Sequence, residues 1–235
     1  MVVKAVLFDL DGTLTERSLK PPEELARILN QKGIDVSAEK IEKACSSVAE
    51  NYQAAIGEHR GTVSHQELYC MWESYFFKAL GLDSSVVRRS DLHWSDVGVM
   101  RAYPDVIPAL TQLKARGVYL GIISDAYQAE IHHVLTMAKV DTALFDIIVG
   151  PDTAHNAKPH PGAFIYAVRT LGIKPEEAVF VGNELEKDYK AAEKVGMNPL
   201  LIVRAEKRDI PEDVHSITQL VSLLDYLDEQ VCSSS

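Results

Sequence analysis

Two aspartates, Asp9 and Asp11, stand one residue apart at the end of an apolar run, Val6-Leu7-Phe8, and are followed by Gly12 and Thr13. Side chains alternate along a strand, so if the extended backbone persists, both carboxylates project to one side at its carboxyl end. Open α/β sheets bind their ligands in that crevice. Two carboxylates side by side repel each other unless a cation or a shared proton relieves them. A hard divalent ion such as Mg²⁺, which takes oxygen ligands, is the natural guest. Gly12 lets the chain turn sharply, and Thr13 is placed to satisfy a backbone group in that turn.

Three later stretches carry compatible chemistry. Ser124 and Asp125 end a second apolar segment, where a hydroxyl and the backbone N–H groups after it could hold an oxyanion. Lys158 lies in Ala157-Lys158-Pro159-His160-Pro161, and the prolines stiffen the segment that presents this positive charge. Val179-Phe180-Val181-Gly182 delivers Asn183, Glu184 and, one helical turn on, Asp188. Each also has a plain structural reading: a serine after a strand caps a helix, a loop lysine is solvated, and acids at a helix start complement its dipole.

The elements that must position these residues are legible from hydrophobic pattern. Lys4–Leu10, Val118–Ser124, Phe145–Gly150, Ala178–Gly182 and Pro199–Val203 read as buried strands. Helical periods separate the last four, which is the rhythm of a parallel sheet. Asp105 is placed to cap a helix with Val106, Ala109, Leu110 and Leu113 on one face. Pro161 and Gly172 bracket a helix bearing Phe164, Ala167 and Val168, and a last helix is expected from Ser216 with Gln219 completing a capping box.

Between the first and second strands lie roughly a hundred residues, far more than a crossover needs. They hold amphipathic stripes of their own: Leu25, Ile28 and Leu29; Ile41, Ala44, Cys45 and Val48; Leu68, Met71, Trp72, Tyr75 and Phe76. The expectation is an α/β fold, a Rossmann-like parallel sheet flanked by helices over residues 1–15 and 102–235. Residues 16–101 form a small all-helical cap domain, entering beside the acid pair like a lid.

Composition narrows the function. With 24 basic and 34 acidic residues the formal net charge is −10, a field that disfavours nucleic acid and anionic membrane as partners. An anionic substrate must then be drawn by local positive charge. Three cysteines, Cys45, Cys70 and Cys232, form no Cys-x-x-Cys pair and suit a reducing compartment. The first apolar segment is too short for a signal-peptide core and no stretch would span a bilayer, so a cytoplasmic location is expected. Oligomeric state is not readable.

Taken in order, Asp9-Leu10-Asp11-Gly12-Thr13, Ser124, Lys158-Pro159 and Gly182-Asn183-Glu184-Leu185-Glu186-Lys187-Asp188 resemble the four motifs of the haloacid dehalogenase-like hydrolase superfamily. Tyr103-Pro104-Asp105 and Leu171-Gly172-Ile173-Lys174-Pro175 look like its phosphatase branch. The resemblance covers about residues 1 to 15 and 102 to 205, and the insert is similar to a helical cap in position and helicity. It implies a Mg²⁺-dependent phosphatase acting on a small phosphorylated metabolite. Asp9 would be the nucleophile that becomes an aspartyl-phosphate, and Asp11 the general acid and then base. Ser124, with Asp125 beside it, and Lys158 would bind the phosphoryl group. The metal would be held by Asp9, the carbonyl of Asp11 and the fourth motif.

There the chain departs from the pattern, because Asn183 replaces the usual aspartate. Its amide oxygen can coordinate Mg²⁺ but brings no charge, so weaker affinity is expected unless Glu184 or Asp188 compensates. Arg60, in Gly57-Glu58-His59-Arg60-Gly61, is the insert's candidate for binding an anionic substrate. The rival readings are a sugar-phosphate mutase on the same scaffold and a non-catalytic protein that binds phosphate ligands or a partner.

Overall fold

Ala5–Phe8 (β1) carries no polar side chain, and all four residues are fully buried. Such a strand is covered on both faces and belongs in the middle of a sheet. The computed structural model, which describes residues 3–58, 74–82, 98–204 and 210–232, places it there. The other strands are Thr15–Leu19 (β2), Gly98–Ala102 (β3), Tyr119–Ile123 (β4), Ile147–Val149 (β5), Ala178–Gly182 (β6), Asn198–Ile202 (β7) and Ser216–Ile217 (β8). The main sheet runs β5-β4-β1-β6-β7-β8 with every pair parallel. Phe8 is in register with Ile122 of β4 and Val181 of β6, so the carboxyl ends of three adjacent strands finish side by side.

Alternation along the strands sends their side chains into two cores. Val6, Phe8, Val179, Val181, Leu120 and Ile122 meet Val106, Leu110 and Leu113 of helix Val106–Ala115 (α3), Ile131 and Leu135 of Gln128–Met137 (α4), and Leu223 and Leu227 of Ser222–Cys232 (α6). Ala5, Leu7, Phe180, Ile123 and Val149 meet Phe164, Ala167 and Val168 of Pro161–Leu171 (α5). Phe164 and Phe180 pack edge to face with centroids 5.0 Å apart. Each such large side chain, fully buried, contributes about 1.5–3 kcal/mol. The result is a three-layer, Rossmann-like α/β domain.

The chain divides into two compact units, residues 1–16 with 100–235, and residues 17–99. The division falls within the two-stranded sheet of β2 and β3. The second unit contains Pro22–Gln31 (α1) and Ala38–Glu58 (α2), which bury Leu25, Leu29, Ile41, Ala44 and Val48 with Phe76 and Leu80. Among the described residues no helix is long and apolar enough to cross a membrane.

Three local expectations are corrected. Extended structure stops at Phe8, because the Leu10 carbonyl accepts from Leu14 and Thr15 N–H (2.9 Å each) and bends the chain before Asp11. Ser216 does not open a helix. Ser216–Ile217 adds to the sheet edge as β8, with Leu201 N–H donating to His215 O and Val203 N–H to Ile217 O, and the helix begins at Ser222. Asp105 stands at the N-cap of α3 but gives that helix no side-chain bond, since its carboxylate is taken by residues far away in sequence.

Candidate active site

The site is assembled where β1, β4 and β6 end. Asp9 follows β1 directly, its N–H donating to Val181 O at 2.9 Å, and is 7% exposed. Its Oδ1 accepts from Lys158 Nζ at 2.5 Å, and the same ammonium donates to Asp188 Oδ1 at 2.7 Å. All three side chains are buried, so these are charge-assisted bonds in a dry environment. Residues 149 and 30 positions apart from Lys158 thus converge on its one ammonium.

Each member is held in turn. Lys158 N–H donates to Asp125 Oδ1 at 2.8 Å, so Asp125 anchors the lysine's backbone. A cis peptide joins Lys158 to Pro159, and the ammonium lies 5.7 Å from the Phe180 ring centroid. Asp188 lies in a π-helical turn, Leu185–Tyr189, and its Oδ2 accepts from Glu184 N–H at 2.9 Å. Gly182 is required here, since a Cβ at that position would collide with the Asp188 side chain. With both oxygens bonded within the protein, Asp188 orients Lys158.

Two carboxylates sharing one ammonium leave negative charge in excess. Burial, the largest influence, pushes Asp9 up to about 7, with Asp188 acting in the same sense and Lys158 against it. Burial alone would lower Lys158, but the charges of Asp188 and Asp9 outweigh it and hold the ammonium well above the usual range. Lysine is therefore the fixed cation of the site, and Asp9 the group whose charge depends on what else binds.

The other oxygen of Asp9 points to a second cluster. The Asn183 amide, turned with its nitrogen inward, donates to Asp9 Oδ2 and the Asp11 carbonyl, each at 3.3 Å. Turned over, it presents Oδ1 to the same two oxygens and accepts from Thr13 Oγ1 at 3.5 Å. Carboxylate, carbonyl and amide then form a face of three oxygens without a proton between them. Adjacent oxygens around Mg²⁺ lie about 2.9 Å apart, so the two 3.3 Å separations from the Asn183 amide oxygen suit a hard divalent cation after a small contraction. Among the described residues no group of three or more His, Cys, Asp or Glu could hold a metal; the oxygens here are of mixed origin. Gly12 makes the approach possible: its φ is +80°, and a Cβ there would strike the Asn183 amide.

The Thr15 hydroxyl shares its one proton between Asp11 Oδ1, at 3.2 Å, and Leu10 O, at 3.3 Å. Thr15, rather than Thr13, is thus the threonine that closes the turn. Ser124 follows β4 with its N–H on Val149 O, and its Oγ accepts from Ala126 N–H at 3.1 Å, which leaves the hydroxyl proton to donate. Glu184 is not drawn into the oxygen face: its carboxylate is half exposed and pairs with Lys187 at 3.7 Å, while Lys187 lies 3.6 Å from Asp125. In sequence Lys187 carries no distinguishing signal, being one lysine inside a helical turn. Arg60 lies outside the described residues.

A buried carboxylate directly after the central strand, a fixed lysine and an oxygen face beside them stand together at the carboxyl end of an α/β sheet. Residues 3–196 match the model of the haloacid dehalogenase-like hydrolases, and the chain belongs to that family. It is 28% identical over 221 residues to glyceraldehyde 3-phosphate phosphatase of Methanopyrus kandleri, covering 89% of this chain and 88% of that one. It is 29% identical to ribulose-1,5-bisphosphate 5-phosphatase of Halopiger xanaduensis, covering 94% and 98%. Among solved structures, a HAD phosphatase from Thermococcus onnurineus is similar with a TM-score of 0.61 and 27% identity, covering 96% and 98%.

Proposed function

We propose that this chain is a Mg²⁺-dependent phosphatase of a small phosphorylated metabolite, working through an aspartyl-phosphate on Asp9. The observation that carries the reading is the buried Asp9 carboxylate, with one oxygen on the Lys158 ammonium and the other on the three-oxygen face. Relatives named for glyceraldehyde 3-phosphate and ribulose-1,5-bisphosphate support the substrate class.

Asp9 attacks phosphorus, forming a carboxylate O–P bond as the ester P–O bond breaks, and Asp11 gives its proton to the departing alkoxide. Water then attacks the same phosphorus while Asp11 takes a proton from it. Inorganic phosphate leaves and Asp9 is regenerated. Lys158 neutralises the transferring group, and the Ser124 hydroxyl donates to one of its oxygens. Asp9, the Asp11 carbonyl and Asn183 would hold Mg²⁺, which supplies positive charge to the phosphoryl oxygens when bound.

The test is release of inorganic phosphate from a panel of sugar and three-carbon phosphates, with Mg²⁺ or with EDTA. Wild type should release phosphate only with the metal, and Asp9→Asn should be inactive. Phosphate release that survives Asp9→Asn overturns the mechanism, and phosphoryl return to the sugar without release would indicate a mutase.

A further inference from the structure

Arg204 lies just beyond β7, and its side chain is 9% exposed. Nη1 donates to both oxygens of Asp105, at 2.8 Å each. Nη2 and Nε both donate to the carbonyl of Thr13, at 2.8 and 3.2 Å. The guanidinium carbon sits 4.1 Å from the centre of the Tyr103 ring. Asp105 Oδ2 also accepts from Leu220 N–H at 2.6 Å, and Tyr103 N–H donates to Leu14 O at 3.1 Å.

A buried ion pair is weak grounds for stability by itself, because desolvation offsets much of the attraction. A planar fork meeting a carboxylate on one edge and a carbonyl on the other does fix geometry. The carbonyl it holds lies two residues after Asp11. The turn around it is closed from inside by Leu10 O and by Thr15 Oγ1 on Asp11, while the Thr13 hydroxyl reaches Asn183. Arg204 grips the same turn through the carbonyl of Thr13.

We propose that Arg204 is a positioning residue for the proton-transfer step: with Asp105 and Tyr103 it clamps the Thr13 carbonyl and so sets where Asp11 meets the leaving oxygen. The proposal rests on the phosphatase reading and on Asp11 as its general acid. A clamp on the acid should matter most when the leaving group needs a proton.

Phenyl phosphate and p-nitrophenyl phosphate share a shape but differ in that need, since p-nitrophenolate departs readily without one. Arg204→Met should lower kcat/KM on phenyl phosphate, which reports only phosphoryl transfer to Asp9, by about 10–100-fold, as for loss of an orienting contact, whereas kcat also contains the water attack assisted by Asp11 that both esters share. On p-nitrophenyl phosphate the loss should be within about threefold. Because Arg204→Met strands Asp105, the double variant Arg204→Met with Asp105→Asn is measured too. It should regain melting temperature yet keep the gap between the two esters. Equal losses on both esters in the folded double variant, or no loss on either, overturn the proposal. Wild type and Asp9→Asn run alongside: equal turnover by these two overturns the phosphatase reading and this proposal with it. A wild type that depends on Asp9 but shows a flat ester ratio on mutation overturns the clamp alone.

Discussion

Replacing Asp9 by Asn should abolish activity and yet stabilise the metal-free protein at alkaline pH. The buried carboxyl, raised from an ordinary 3.8 to about 7, binds a proton in the folded state that it has lost in the unfolded state between those values. Protons bound by the native state then exceed those bound by the unfolded state, so the free energy of unfolding falls as pH rises, by about 1.4 kcal/mol per unit. The contribution is whole below about pH 4 and gone above about pH 7, a total on the order of 4 kcal/mol. Asparagine resembles the protonated acid at every pH and lacks this slope. Allowing half for relaxation around the ion, about 2 kcal/mol remains at pH 8, a rise of roughly 4–8 °C in a chain of this size. The assay is melting temperature against pH in EDTA for both proteins, where the difference between the curves cancels the other titrating groups. Mg²⁺, adding positive charge at Asp9 Oδ2, should raise the wild type and narrow the gap. An Asp9→Asn protein that melts at or below wild type at pH 8 in EDTA, or a difference that does not grow between pH 4 and 7, would refute the reasoning.

Two further outcomes follow from the same charges. Lys158→Met leaves the Asp9 and Asp188 carboxylates buried without their shared cation. It should cost about 3–5 kcal/mol by chemical denaturation at pH 8 and remove phosphate release. Asn183→Asp exchanges an amide that bonds Asp9 Oδ2 and Asp11 O for a third acid. Calorimetry should show tighter Mg²⁺ binding, and melting in EDTA should show a less stable protein. Unchanged metal affinity would remove Asn183 from the ligand set.

Much of the site was legible because it is written in local pattern. A strand buried on both faces needs an uninterrupted apolar run, and its end is marked by the first acid, so Asp9 and the close of β6 at Gly182 stood out. Lys158 was marked by its prolines, and the helix of Pro161–Leu171 by proline at its start and a left-handed Gly172 at its end. The two-residue strand β8 was hidden, since Ser216–Ile217 has no pattern of its own and is extended only because β7 offers an edge. Likewise Asp105 reads as a cap in one dimension, while in three it receives Arg204 and Leu220 N–H.

The chain's own order of residues determined the buried strands, the helices between them and the acids, lysine and serine that reach the strand ends, because apolar period and turn chemistry act over a few residues. Only the folded arrangement decided that Lys158 joins Asp9 to Asp188, that Asn183 faces the Asp11 carbonyl, and that Arg204 holds Thr13 from 191 positions away. Those pairings depend on which strands become neighbours in the sheet, and strand order is settled by the packing of the whole domain, which no short window of sequence contains.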